Sequence, residues 1–307
     1  MKIFITGAGG MLGTDLVRAL AKNFAVAGAG RYPAGHLTIP YHVAHLAQPG
    51  EAERVILAEK PGFIFHTAAM TDVDGCEKNP EEAMQHNFET TKRVVEAANR
   101  AGACLIFFST DYIFDGEKKA AYEETDPPHP INHYGESKLL AETYIRDKAA
   151  HFVIFRLSWL FGLYGKSFPR TILERAPATE RFEVVSDQVG RPTYTRDLAG
   201  AFSTLLCEDP GIFAKTNGQT FHLGNSGTAS WAEFAVFILQ AAGHTEKPVL
   251  GILTRPGHRP AARPRNSVLS LAKTERMLGI RLRPWQEAVT EFVHEWKAGR
   301  EAVPRHE

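Results

Sequence analysis

Lys2-Ile3-Phe4-Ile5-Thr6-Gly7-Ala8-Gly9-Gly10-Met11-Leu12-Gly13 is the stretch whose reading decides the fold. An apolar, β-branched run reads as a buried strand, the glycines as a tight turn, and the apolar periodicity from Met11 to Lys22 as the helix that follows. In that order, glycine lets backbone N–H groups approach a pyrophosphate closely and lets helix pack on strand. The helix N-terminus adds its positive dipole end. The stretch therefore predicts a phosphate cradle at the start of a dinucleotide-binding sheet.

Outward from it, the first half keeps alternating strands with helices. Strands are expected at Lys2 to Thr6, Phe24 to Gly28, Phe63 to Thr67, Cys104 to Ser109 and Phe152 to Leu157, and helices at Met11 to Lys22, Glu51 to Glu59, Pro80 to Arg100 and His133 to Asp147. Near-continuous apolar strands between helices imply an α/β, doubly wound parallel (Rossmann-type) sheet covered on both faces. Beyond about Leu160 the pattern loosens. It offers helices near Phe168 to Arg175, Thr195 to Leu206 and Trp231 to Ala242, strands at Phe182 to Val185 and Thr220 to Leu223, and an irregular proline-rich stretch from Arg255 to Arg265 before the last helices. We divide the chain into a dinucleotide-binding domain at 1–160, whose sheet later segments are free to complete, and a smaller C-terminal substrate lobe at 161–307. The tail with Lys297, Arg300, Glu301 and Arg305 reads as solvated.

Composition sets outer limits. The 307 residues are 44% hydrophobic and 23% charged, an ordinary globular mixture. Lys plus Arg and Asp plus Glu both number 35, so no net field favours nucleic acid or an anionic membrane. Three cysteines, Cys76, Cys104 and Cys207, form no CxxC pair, and no apolar run suits a signal peptide or membrane span. A cytoplasmic protein is the expectation, with Cys104 a small core hydrophobe.

Tyr134-Gly135-Glu136-Ser137-Lys138 puts a phenol and an ammonium on one face of the His133 to Asp147 helix. Hydride delivery to a carbonyl carbon leaves an oxygen that must take a proton. Tyr134 is placed to give it, with Lys138 and the oxidised nicotinamide stabilising phenolate. Ser109-Thr110-Asp111, at the end of an earlier strand, supplies hydroxyls for the carbonyl oxygen.

With these residues in hand, the GxxGxxG spacing of Gly7, Gly10 and Gly13 resembles the extended short-chain dehydrogenases, and the chain resembles one family within them, the dTDP-4-dehydrorhamnose reductases. The resemblance runs to about Trp285. Its motifs are Thr67-Ala68-Ala69-Met70-Thr71-Asp72-Val73-Asp74 with Glu77, Pro80 and Asn87; Ser109 to Gly116, similar to STDYVFDG; and Arg156-Leu157-Ser158-Trp159, similar to RxSW. Two more are Asp187-Gln188 with Gly190, Pro192 and Thr193, similar to DQxGxPT, and Arg263-Pro264-Arg265-Asn266-Ser267 with Leu269, similar to RPxNSxL.

The resemblance implies an NAD(P)H-dependent enzyme that reduces the 4-keto group of a nucleotide-activated deoxysugar, as in dTDP-rhamnose biosynthesis. Thr110, Tyr134 and Lys138 would be catalytic. Gly7, Gly10, Met11, Leu12, Gly13, Arg31, Thr67, Ala68, Ala69, Tyr134 and Lys138 would hold the cofactor. Thr110, Asp111, Trp159, Arg263 and Asn266 would meet the nucleotide sugar, Arg263 or Arg265 facing its pyrophosphate. Asp111 also reads as a turn cap, and Trp159 as a core aromatic.

This sequence departs from the family at three places. The second strand leads into Gly28-Ala29-Gly30-Arg31 without the acidic residue that holds an adenosine ribose, which predicts NADP(H) as the preferred cofactor and leaves NAD(H) as the alternative. Tyr41-His42-Val43-Ala44-His45-Leu46 carries histidines where the family has an aspartate near the adenine. Arg196 falls where some members place an interface carboxylate for magnesium, so no metal is expected, and Asp15 alone reads as a solvated charge. His42 with His45, and His129 with His133, lack a third ligand at zinc spacing and read as surface or loop histidines. A homodimer stays open. Two other functions also stay open: a non-catalytic nucleotide-binding regulator resembling that of methionine adenosyltransferase, and a sugar-nucleotide epimerase or dehydratase. Against a dehydratase, Thr110 is followed by Asp111 and Tyr112, not by an Asp-Glu pair.

Overall fold

The computed structural model describes residues 1–255 and 257–301. Its centre is a seven-stranded, wholly parallel sheet. Six strands come from the first half: β1 (Lys2–Thr6), β2 (Ala25–Gly30), β3 (Tyr41–Val43), β4 (Phe63–His66), β5 (Cys104–Thr110) and β6 (Phe152–Leu157). The seventh, Thr220–His222, pairs with the outer edge of β6, so the order across the sheet is Thr220–His222, β6, β5, β4, β1, β2, β3. The dinucleotide-binding sheet thus takes a strand from the half assigned to substrate.

Both faces are covered, as buried parallel strands require. One face packs on α1 (Met11–Leu20) and the helix Thr195–Glu208, with Leu16, Leu20, Phe202 and Phe213 in the core. The other carries α2 (Glu51–Glu59), α5 (Thr90–Ala101) and α6 (His133–Lys148) around Val55, Val95 and Ile145. Asp15 on α1 is not a solvated charge. It is buried, the Thr195 hydroxyl donates to it at 2.5 Å, and burial raises its pKa. A carboxylate at the seam between two helices is affordable because a donor meets it there.

Locally the structure adds to the sequence reading and in places departs from it. Tyr41–Val43 is a strand that alternation does not reveal, being three residues long and half exposed at the sheet's edge. The helix expected from Pro80 to Arg100 is α4 (Pro80–Ala83), a π-helical turn at Met84–Glu89, and α5. Before it comes α3 (Val73–Lys78), capped by the Asp72 side chain, which accepts from Gly75 N at 3.1 Å. Within the second half, Phe182–Val185 and Val249–Ile252 form a small parallel ribbon. An aromatic core of Phe161, Tyr194, Phe234, Trp285 and Phe292 lies near it. In the tail, Lys297 donates to the Ala242 carbonyl at 2.7 Å, while Arg305 and the side chains of Arg300 and Glu301 lie outside the described residues.

Candidate active site

At the C-terminal end of β1 the chain must turn sharply and let α1 begin against the strand. Gly7 has φ +64, and a Cβ on Gly13 would stand 2.2 Å from the Gly7 carbonyl oxygen, so backbone fills the space a side chain would need. Gly10, the N-cap of α1, supplies no side chain to the first-turn amides. Those N–H groups are left for a ligand. Above them opens a cavity of about 310 Å³, lined by Gly7, Gly10, Thr67, Ala68 and Ala69 and, farther out, by Arg31, Tyr32, His45 and His86.

A second cavity of about 380 Å³ shares Gly7, Gly10, Thr67 and Ala69 with the first and reaches Met11, Leu12 and Gly13. Thr110 and Asp111, from the end of β5, line it together with Tyr134, Lys138 and Trp159. The sequence-derived residues from the cradle to Trp159 are thus brought to one continuous cleft. Tyr134 and Lys138 sit one turn apart on α6, whose N-cap Asn132 accepts from Gly135 N at 2.8 Å.

The second cavity is chemically severe. Lys138 is buried and its Nζ donates to the Phe108 carbonyl at 2.7 Å; desolvation brings its pKa down to about 7, against a smaller upward pull from Glu142. Burial drives the Tyr134 phenol well above its usual range, with only the Thr110 hydroxyl pulling it back. Tyr134 accordingly keeps its proton at ordinary pH. Asp111 receives the hydroxyls of Thr110 (3.1 Å) and Ser158 (2.9 Å), yet burial still raises it to about 6. The turn cap here is Thr110, which accepts from Tyr112 N at 3.2 Å.

Polar groups behind the cavity fix these side chains. Asn87, in the π-helical turn, accepts from Met70 N at 2.7 Å and donates to the Met70 carbonyl at 3.0 Å and to Ser137 Oγ at 2.9 Å. One amide therefore ties the segment after β4 to the helix bearing Tyr134, in the kind of π turn that recurs at functional sites. Arg156 holds the buried Glu142 through two bonds of 3.0 and 2.8 Å. Trp159 has a left-handed backbone, φ +47, and stacks on Trp231 with ring centroids 3.6 Å apart. A Cβ on residue 190 would lie 2.3 Å from its indole, which is why glycine stands there.

Two expected substrate residues do not line this cleft. Arg263 pairs with Asp74 at 3.1 Å and lies over the Tyr112 ring, while the Asn266 amide donates to the Lys118 and Ala120 carbonyls at 2.7 and 3.0 Å. Arg259 also reaches Asp74, at 3.3 Å, so two of the loop's arginines hold it to the body. Arg196 is engaged with Glu291 and Glu295. The sequence reading missed Lys166 and Trp231, which line the second cavity, and His86, which lines the first. A lysine in a glycine-flanked loop carries no periodic or motif signal. Of the histidines read as surface residues, His45 faces the first cavity, and His42 sits in β3 with Glu59 at 2.5 Å.

Comparison with known proteins adds identity to this geometry. The family described as RmlD substrate binding domain matches residues 1–298. The spore coat polysaccharide biosynthesis protein SpsK of Bacillus subtilis is 36% identical over 96% of this chain and 97% of its own. A dTDP-4-dehydrorhamnose reductase of Burkholderia thailandensis is 35% identical over 94% and 97%, respectively. Among solved structures, a dTDP-4-dehydrorhamnose reductase from Bacillus anthracis in complex with NADP superposes with a TM-score of 0.84 at 30% identity, covering 96% of this chain and 99% of that one.

Proposed function

Because the chain belongs to the RmlD substrate binding domain family, we propose that it is an NADPH-dependent reductase of the 4-keto group of a dTDP-linked deoxysugar. The observation that carries this reading is the single cleft that joins the glycine cradle to Tyr134, Lys138 and Thr110. A dinucleotide fits the cradle on the chain's own terms: α1 begins with amides that no side chain caps, and the backbone of Gly7 and Gly13 leaves no room for a Cβ.

When bound, NADPH supplies a hydride to the ketone carbon. Tyr134 gives its phenolic proton to the ketone oxygen, and burial keeps that proton in place until negative charge develops there. Lys138, held by the Phe108 carbonyl one turn along α6, places a positive charge beside the phenolate that Tyr134 becomes. Thr110 steers the phenol, and Asp111 orients the Thr110 hydroxyl from behind. Trp159 and Trp231 offer a flat apolar wall to a sugar or base. Arg263 acts at one remove, by fixing Tyr112. Arg31, with no acidic neighbour at the end of β2, selects the 2′-phosphate of NADPH over NADH.

The test is loss of reduced-nicotinamide absorbance when a dTDP-linked 4-keto-6-deoxyhexose is added to the enzyme with NADPH, with one cofactor consumed per sugar reduced. Binding of both ligands without consumption would identify a non-catalytic regulator. Sugar interconversion without net consumption would identify an epimerase or dehydratase.

A further inference from the structure

We propose that His86 and His45 complete, with Arg31, a subsite for the 2′-phosphate of the cofactor, so that discrimination rests on a guanidinium and two imidazoles instead of one arginine. This rests on the NADPH reading above and specifies how the first cavity achieves it.

The three side chains come from separate elements: Arg31 from the end of β2, His45 from just after β3, and His86 from the π-helical turn. All three line the same cavity, and no carboxylate is among its described lining residues. The His86 Nε2 lies 3.1 Å from Arg31 Nη1, and the rings of His86 and His45 are 5.5 Å apart. A guanidinium only donates, so the His86 Nε2 facing it is an acceptor and the imidazole is neutral. His45 Nδ1 is buried with no hydrogen-bond partner among the described residues. A guanidinium and two imidazoles thus converge on one corner of a cavity with no carboxylate among its described lining residues, a corner whose electrostatics suit an anion.

The charges around His86 give the direction of the coupling. Burial, Arg31 and His45 all depress its proton affinity, and Glu82, 3.7 Å away on α4, is the one group opposing them. A phosphate dianion in this corner neutralises Arg31 and draws a proton onto Nε2, turning His86 from acceptor into donor. An opposite charge at such range raises a pKa by about 1–3 units, so binding takes up a proton near neutral pH. The affinity for a 2′-phosphate then falls as pH rises through the bound-state value of His86. Affinity for the rest of the nucleotide does not.

The experiment is calorimetric titration of the whole protein with adenosine 2′,5′-bisphosphate and with AMP, which share the 5′-phosphate and differ only at the 2′ position. Above a phosphate's own second pKa of about 6, the affinity ratio of the two ligands is expected to fall about five- to tenfold between roughly pH 6.5 and pH 8.5. Heats in buffers of different ionisation enthalpy are expected to show proton uptake for the bisphosphate only. His86→Gln is expected to flatten the ratio. A preference for the bisphosphate that is flat with pH, without proton uptake, or unchanged in His86→Gln overturns the histidine subsite and leaves Arg31 as the clamp. No preference at all in the wild type overturns the NADPH reading itself. Proton uptake by the wild type decides the matter even if the variant fails to fold.

Discussion

The two cavities meet at Gly7, Gly10, Thr67 and Ala69, yet they are built on opposite terms. The proposed reaction end lies over β5 and β6, where Tyr134, Lys138, Thr110 and Asp111 are all less than a tenth exposed and each is held by neighbours from other elements. The Arg31 end is assembled from loop termini and a helical turn, with Arg31 exposed beside His86. Chemistry needs charge in a dry place, and only a packed framework can keep it there. Selection between cofactors needs little more than a few well-placed donors in partial contact with water. The contrast predicts large, coupled effects at one end and small, separable ones at the other.

The largest effect is expected from Tyr134→Phe, which removes the proposed proton donor and leaves the cradle alone. The kcat is expected to fall by about 10²–10⁴-fold with cofactor affinity nearly unchanged. Near-normal kcat on the ketosugar would remove Tyr134 from the chemistry and erase the contrast. Next is Glu142→Gln, which strands the buried Arg156 guanidinium. Denaturant unfolding is expected to show a loss of about 3–5 kcal/mol. The corresponding change at the other end, Arg31→Ala, is expected to leave stability within experimental error, because that side chain is exposed.

A smaller effect follows from Asp111. Its carboxyl is raised from 3.8 to about 6 in the folded chain, so its contribution to stability is full below the unfolded value and is lost as pH rises through about 6. Between those values the wild type is expected to lose about 3 kcal/mol relative to Asp111→Asn, read from unfolding at a series of pH values. Parallel pH profiles for the two proteins would show Asp111 to be unburdened by burial. The smallest effect belongs to the Arg31 end. The ratio of kcat/KM for NADPH over NADH is expected to drop about ten- to a hundredfold in Arg31→Ala, the worth of one charged hydrogen bond. An unchanged ratio would place selection elsewhere in the cavity.

Legibility in the sequence follows the same divide. The cradle, the Tyr134 and Lys138 pair and the hydroxyls after β5 announce themselves because backbone geometry dictates residue type there, and the motif Arg156 to Trp159 is spelled out by what each side chain holds. Arg156 grips Glu142, Ser158 donates to Asp111, and Trp159 closes on Gly190. The long parallel strands were readable from their apolar runs, whereas Tyr41–Val43 was too short to display a period. The break at Met84–Glu89 was hidden because a π turn uses ordinary helix formers. Within it Asn87 reaches Met70 and Ser137, 17 and 50 residues away in sequence. Arg263 shows the converse: the sequence displays a positive charge in a family-like motif, and its partner in the structure, Asp74, sits in a different motif. Pairing between distant charges is invisible until the chain is folded.

The strand Thr220–His222 has a bearing on how the chain is born. While the ribosome is still making the second half, β6, Phe152-Val153-Ile154-Phe155-Arg156-Leu157, is the open border of a growing sheet, with one row of backbone N–H and C=O groups unclaimed. Its partner emerges more than sixty residues later, and the helix Thr195–Glu208 that roofs the same side is also still to come. The central sheet cannot be finished before then, so a truncated or stalled chain ending near residue 160 carries an exposed, aromatic-rich sticky edge. Completing the sheet from afar keeps the outer edge of β6 unpaired until Thr220–His222 has been made.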